Sequence, residues 1–130
     1  MIAIHHLDWA DDEDTEMRDL RFKATMPGLE GNQVEAVRVL AGKGLYKLMC
    51  EVDTDRPEYA YKLTQNGVVT DSWTLEPPQG LKVLVAPIEK DGKTYGHRST
   101  SMGDVMIIDN KVFVVATFGF EDTGLTPDQL

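Results

Sequence analysis

The chain has 130 residues, 42% of them hydrophobic, and 22 acidic against 13 basic side chains give it a net charge of −9. This length and composition predict a single domain over residues 1–130 with one core. The excess of acid argues against direct binding to nucleic acid or anionic lipid, which requires clustered lysine and arginine. The charge instead favours a protein partner with a basic surface.

The composition also argues against a membrane or metal-dependent protein. No stretch approaches roughly 18 apolar residues, so we expect no transmembrane helix. The N-terminus has neither a basic flank nor a long apolar run, so we expect no secretory signal and the cytosol as the location. With one cysteine, three histidines and no Cys-x-x-Cys, we expect no disulfide, no metal site and no cofactor.

The first third of the chain is predicted to hold two strands around an acidic loop. Ile2–Leu7 reads as a short strand, and the acidic segment at about 8–16 reads as an exposed loop. Residues 18–26 alternate between apolar and polar side chains, which predicts a half-buried strand. The apolar side chains of that strand are Leu20, Phe22, Ala24 and Met26.

The acidic loop contains one aromatic residue, Trp9, followed by a run of carboxylates: Asp11, Asp12, Glu13, Asp14 and Glu16. Counted from Asp8, the sixth and twelfth positions of a calcium-binding EF-hand loop would be Glu13 and Asp19. An EF-hand needs glycine and glutamate there, so that motif is absent. Two interpretations remain open, a solvated loop and an acidic docking surface in which Trp9 contacts a basic protein.

The middle of the chain predicts a helix, a strand and a second helix. Asn32 is a plausible N-cap for a helix to about Ala41, and Leu45–Val52 alternates as a strand that buries Cys50. Asp55 and Glu58 have the spacing of a capping box for a helix over about 56–65. Residues 67–80 form a long connection that holds Trp73.

The last third predicts a strand and two hairpins. Leu81–Ala86 reads as the strand, and Asp91-Gly92 as the tip of the first hairpin. The second hairpin pairs residues 104–108 with 111–117 and is apolar on both faces, which is typical of a covered central strand or the wall of a small barrel. We expect it to be the stability core, with four buried side chains: Val105, Ile107, Val112 and Val114. The tail from about 121 to 130 is expected to be frayed.

These elements predict an α+β fold with an antiparallel sheet, a barrel-like sheet being the alternative, about two helices and the C-terminal hairpin as core. Adjacent His5 and His6 would point to opposite faces of a strand, so we interpret them as surface or edge-strand histidines and not as ligands of one metal. A general-base role for a histidine stays open, although no partner carboxylate can be assigned from the sequence.

The most distinctive motif is His97-Arg98-Ser99-Thr100-Ser101-Met102-Gly103-Asp104, directly before an apolar strand. In one interpretation it is a structural turn, with Gly103 at positive φ and Arg98 paired with Asp104. In the other it is a binding loop that grips an acidic or phosphorylated group. The candidate ligand or partner residues are then Arg98, Ser99, Ser101, Asp104 and Trp73.

The stretch from Tyr46 to Phe120 resembles short, YodL-like proteins carried by bacteriophages, plasmids and their hosts. The matching residues are Glu51–Asp55, Leu63–Asn66, Trp73, Arg98–Val105, Val112–Val115 and Gly119-Phe120, with Met102 where the family usually has valine. The resemblance implies a mobile-element origin, a location in the bacterial host cytosol and no enzymatic activity.

Together, these features lead us to expect a non-catalytic accessory protein of a phage or other mobile element. It would bind a host or phage protein and inhibit a defence system. The alternative is a small-ligand or nucleotide-binding module centred on Arg98, Ser99, Ser101 and Trp73.

Overall fold

A computed structural model of the protein describes residues 1–9, 14–27 and 32–130. The fold is α+β, as predicted. Its elements in chain order are β1 (Ile2–Leu7), α1 (Thr15–Thr25), α2 (Gln33–Gly42), β2 (Tyr46–Val52), α3 (Pro57–Leu63), β3 (Leu81–Val83), β4 (Ile88–Lys90), β5 (Lys93–Tyr95), β6 (Val105–Ile108), β7 (Lys111–Val115), β8 (Phe120–Asp122) and a short 3-10 turn (Pro127–Gln129).

Six strands form one antiparallel sheet in the order β3-β2-β1-β6-β7-β8, and β4 and β5 form a separate hairpin. The sheet is open, with β3 and β8 at its edges, so the barrel alternative is wrong. Three α-helices are present in the described part of the chain, where about two were predicted. None of these helices is long and apolar enough to cross a membrane.

Both faces of the sheet are covered, which explains why the β6–β7 hairpin is apolar on both sides. On one face, α1 and α2 pack on Leu7, Val105, Val112 and Val114. On the other face, α3 and Trp73 pack on Ile2, Ile4, Cys50, Met106 and Val115. The hairpin therefore contributes to two apolar layers at once. Of its four side chains predicted to be buried, Ile107 is only half-buried.

The strand predicted over residues 18–26 is wrong, because this segment lies in helix α1. Asp14 caps the helix by accepting a hydrogen bond from the Met17 amide at 2.9 Å. Residues at helical spacing face the core, and the apolar positions Phe22 and Met26 are exposed. Leu20 and Ala24 are four residues apart, a spacing that places two side chains on one face of either a strand or a helix, so the alternation was misleading.

Strand β2 confirms the element predicted there, with one irregularity. Ile4 pairs with Cys50 but His5 pairs with Leu48, so Met49 is an extra residue that forms a bulge. Met49 is buried and Leu48 is exposed, which reverses the simple alternation. The burial predicted for Cys50 is confirmed, and burial raises the pKa of its thiol to about 12.

Two further sequence predictions about element ends are wrong. Helix α3 begins at Pro57 after Arg56, with no side-chain cap, so Asp55 and Glu58 do not form a capping box. The tail is packed and not frayed, because β8 pairs with β7 and Leu125 is buried beside α2. The two predicted hairpin turns are present, since Asp91-Gly92 and Asp109-Asn110 all have positive φ.

Candidate functional site

The carboxylate of Asp104 is the centre of the predicted motif. It is only 1% exposed and accepts four hydrogen bonds. Arg98 donates from Nη1 to Oδ2 at 2.6 Å and from Nη2 to Oδ1 at 2.8 Å, forming a bidentate ion pair. The backbone amides of Leu7 and Ser101 donate at 2.9 and 2.8 Å. The carboxylate thus joins the loop to the end of β1.

The Arg98 guanidinium is occupied by internal partners on both Nη atoms. Nη1 also donates to Ser99 O at 3.0 Å, and Nη2 donates to Leu7 O at 3.1 Å. The hydrogen bonds to Asp104 raise the pKa of Arg98 further, so the cation is fixed in both charge and direction. These contacts are those of a structural staple, the first of the two interpretations of the motif.

His6 lies beside this ion pair, one residue before the C-terminal end of β1. Its Nε2 is 2.8 Å from Thr100 Oγ1 and 3.7 Å from Asp104 Oδ2. Burial is the main reason that its pKa falls to about 4. The interpretation as a surface or edge histidine is wrong for His6, because β1 is a central strand and this side chain is buried.

Although histidine, hydroxyl and carboxylate come together here, they are not arranged as a catalytic triad. In a triad, one ring nitrogen contacts the nucleophile and the other contacts the acid. Here the same Nε2 approaches both Thr100 and Asp104. The Thr100 hydroxyl is also buried, so a substrate cannot reach it. The cluster therefore supports the fold of the loop.

Trp73 contacts the motif from the face of the sheet that α3 covers. Its ring is fully buried, its Nε1 donates to Arg98 O at 2.9 Å, and its edge contacts the His6 ring with centroids 5.8 Å apart. The ring is therefore not available to stack on a ligand. The Ser99 hydroxyl also has an internal partner, because it accepts a hydrogen bond from the backbone amide of Asn66 at 2.8 Å.

Several residues that support the motif were not predicted as site residues. Gln65 Nε2 donates to Thr100 O at 2.8 Å, and Asn66 Nδ2 donates to His97 O at 3.0 Å. Tyr46 OH donates to Gly103 O at 2.7 Å. Gln65 and Asn66 were predicted as the end of a helix and as part of the YodL-like resemblance, but not as contacts of the motif. Their signal was the pair of amide side chains, which can satisfy the backbone of a neighbouring loop.

Gly103 is required by both backbone conformation and space. Its φ is +93°, as the sequence predicted, and a Cβ there would lie 2.9 Å from Ala24 O in helix α1. Its amide donates to Val115 O at 3.1 Å. The loop consequently packs tightly between α1 and the β6–β7 hairpin.

A cleft of about 220 Å³ opens beside the motif. Its lining includes Trp9, Lys47, Ile88, His97 and Arg98. Trp73 and Ser101 do not line this cleft, so the structure does not bring the whole predicted set of ligand-binding residues to one cavity. The described residues also contain no group of three or more histidine, cysteine, aspartate or glutamate side chains that could hold a metal ion.

The predicted docking surface is only partly within the described residues. Asp11, Asp12 and Glu13 lie outside them. Trp9 is 72% exposed, and its ring lies over the Arg21 guanidinium, whose Cζ is 4.2 Å from the ring centroid. Asp14, the N-cap of α1, and Glu16, in its first turn, are both exposed.

Comparisons of the chain with protein-family models, with curated proteins and with solved structures gave no match. The resemblance to YodL-like sequences therefore stays a prediction that depends on its motifs alone. Two of its segments are neighbours in the structure: Thr64 and Asn66 at the end of α3 hydrogen-bond to Thr100 and Ser99 of the motif.

Proposed function

We propose that the protein is a non-catalytic binding protein whose contact site is the Trp9 surface, defined as Trp9 and the acidic residues 11–14 and 16. Its partner is a protein with a basic surface. The observation that carries the proposal is that Trp9 is largely exposed and yet held in place. Exposed tryptophans of this kind are enriched among the residues that dominate binding energy.

The buried Arg21 side chain packs on the Trp9 ring. Arg21 is mostly buried, and its Nη2 donates to Asp8 O at 2.7 Å, directly before Trp9 in the chain. The Trp9 amide in turn donates to Asp8 Oδ1 at 2.9 Å. Because the fold already fixes this side chain, a partner would lose less conformational entropy on ordering it.

The charge around Trp9 supports a basic partner. Residues 1–35 carry nine acids and three bases, a net charge of −6 out of −9 for the whole chain. The carboxylates of Asp14, Glu16 and Asp19 are exposed on or next to α1. Clustered like charges repel one another and oppose folding, but they accelerate encounter with an oppositely charged surface.

The resemblance to phage- and plasmid-borne sequences supports a finer proposal. The partner is a host or phage protein, and binding inhibits a defence system. A defence nuclease has a basic channel for nucleic acid, which is a surface of the required charge.

The test is capture from a bacterial lysate followed by binding kinetics at two salt concentrations. Trp9→Ala should weaken binding by about tenfold or more. Neutralising Asp11, Asp12, Glu13 and Glu16 to amides should slow association, and the wild-type association rate should fall as salt rises. Asp14 is left intact in this variant because it caps α1.

The matched control neutralises four exposed acids elsewhere, Asp55, Asp71, Glu76 and Asp91. This variant should associate at close to the wild-type rate. Equal binding by the Trp9→Ala variant, or an association rate that does not respond to salt, would show that the Trp9 surface is not the contact site.

A second candidate is the small-ligand or nucleotide-binding module, and the cleft next to Arg98 is the observation that favours it. The basic residues Lys47 and His97 line it, beside the apolar side chain of Ile88. A panel of nucleotides tested by thermal shift should then raise the melting temperature, and Lys47→Ala should remove the effect. No shift with any nucleotide would contradict this candidate.

A further inference from the structure

An apolar groove of about 420 Å³ lies between α3 and the β7–β8 hairpin, on the face of the sheet opposite α1 and α2. Its apolar lining comes from Tyr61, Met102, Val115 and Phe120, and the acidic residue Glu58 also lines it. The rings of Tyr61 and Phe120 contact each other edge to face, with centroids 6.5 Å apart. The aromatic part of the groove is thus preformed.

An exposed phenyl ring stands at the turn beside this groove. Phe118 is 95% exposed, although it lies in a tight turn of defined geometry. The Ala116 amide donates to Gly119 O at 2.9 Å, and Gly119 has a φ of +85°. A ring that is exposed in this way adds no burial to the core, so folding does not explain a phenylalanine at this position.

The outer edge of β8 has unpaired backbone groups. Hydrogen-bonded pairs alternate along an antiparallel ladder, and β8 meets β7 in such pairs at Gly119 and Thr123. Glu121 is midway between these positions, opposite Val114, and completes the series. The N–H and C=O groups of Phe120 and Asp122 therefore point away from β7, where the described residues provide no further strand.

We propose that β8 accepts an extended segment of another protein as a further antiparallel or parallel strand. This mode of recognition joins backbone hydrogen bonds to side-chain pockets. Residues two apart in the added strand project onto the groove face. One apolar side chain enters the groove beside Phe118, and a lysine or arginine two positions away faces Glu58 or Asp122.

The charge of this surface favours a basic, apolar segment over a second copy of the chain as the occupant of the groove. Glu58 lines the groove. Asp122 and Phe120 pair with β7 positions 113 and 115, which are two apart and therefore share one face, so Asp122 projects to the groove face as Phe120 does. Pairing of β8 with β8 would bring Glu121 and Asp122 of two copies together, and facing like charges destabilise a strand pair. A basic and apolar segment has the complementary charge.

This surface shares no residue with the Trp9 surface, so the two proposals can fail independently. Trp9→Ala leaves the groove unchanged, and Phe118→Ser leaves the Trp9 surface unchanged. The groove proposal requires only that the protein binds a segment of the stated chemistry. It holds whether or not the Trp9 surface has a partner.

The experiment is an NMR titration of the full chain with a synthetic peptide. The peptide has threonine at every second position, and valine and lysine alternate at the others. We expect the largest shifts at the backbone amides of Phe120 and Asp122. A peptide with every backbone nitrogen methylated, or with glutamate in place of lysine, should bind at least about fivefold more weakly.

Three protein variants complete the test. Phe118→Ser should weaken peptide binding by about tenfold, because an aromatic contact is lost. Glu58→Lys should weaken it by about threefold or more, and Glu35→Lys is the matched control, with the same charge change at an exposed position of α2. Shifts that map elsewhere, equal binding of the N-methylated peptide, dimerisation in its place, or no shifts at millimolar peptide would each overturn the proposal.

Discussion

Replacing Asp104 with asparagine tests whether the motif is a structural staple. The substitution keeps the shape of the side chain and removes its charge. One carboxylate oxygen becomes an NH₂ group, which would face two donors, the Arg98 guanidinium and either the Leu7 or the Ser101 amide. Two of the four hydrogen bonds are therefore replaced by contacts between donors.

The expected loss of stability is large for a single polar substitution. A hydrogen bond to a charged group contributes about 1.5–3 kcal/mol, and removing one partner of a buried ion pair costs about 3–5 kcal/mol. We expect Asp104→Asn to lower the free energy of unfolding by about 3–5 kcal/mol. A typical domain has about 5–15 kcal/mol in total, so the variant should be close to unfolding.

Urea unfolding, followed by circular dichroism and by tryptophan fluorescence, measures the loss. Asp91→Asn makes the same chemical change on an exposed carboxylate and should cost less than about 0.5 kcal/mol. Arg98→Met should cost less than Asp104→Asn, because its side chain is 44% exposed. A loss below about 1 kcal/mol for Asp104→Asn, at an unchanged slope with urea, would refute the staple.

Three other predictions follow from burial, backbone geometry and the protonation of His6. Met106→Ala should lower the free energy of unfolding by about 2–5 kcal/mol. Ile107→Ala should lower it by less, because of these two residues only Met106 is fully buried. Equal losses would contradict the packing. Gly103→Ala should destabilise the protein in thermal melts more than Gly80→Ala, since both have positive φ but only the first lacks space for a Cβ. His6 has its pKa lowered from 6.5 to about 4, so its neutral form is favoured in the fold. Wild-type stability should therefore fall by about 3 kcal/mol as the pH drops from 6.5 to 4, and a His6→Gln variant with the same pH slope would disprove this.

The sequence predicted most elements of this fold, and its one large error has a physical cause. In α1, the apolar residues Leu20 and Ala24 face the core, but Phe22 and Met26 between and beyond them are exposed. Exposed apolar residues imitate the alternation of a strand when they fall at even spacing. Periodicity cannot separate apolar residues used for packing from those left on the surface.

The site was predicted in part. The pairing of Arg98 with Asp104 and the positive φ of Gly103 follow from their local spacing, and the structure contains both. The burial of His6 and the contact from Tyr46 do not follow from local spacing. They depend on β1 lying between β2 and β6, and a short strand has no sequence signal that distinguishes a central from an edge position.

The central place of β1 also affects how the protein folds during synthesis. β1 precedes both of its sheet partners in the chain: β2 follows at Tyr46–Val52, and β6 follows only at Val105–Ile108. The hydrogen bond from the Leu7 amide to Asp104 closes over a separation of 97 positions. Contacts between distant parts of a chain slow folding, because the loop between them must be ordered first. During translation β1 can first pair with β2, and its other edge gains a partner only after β6 has left the ribosome.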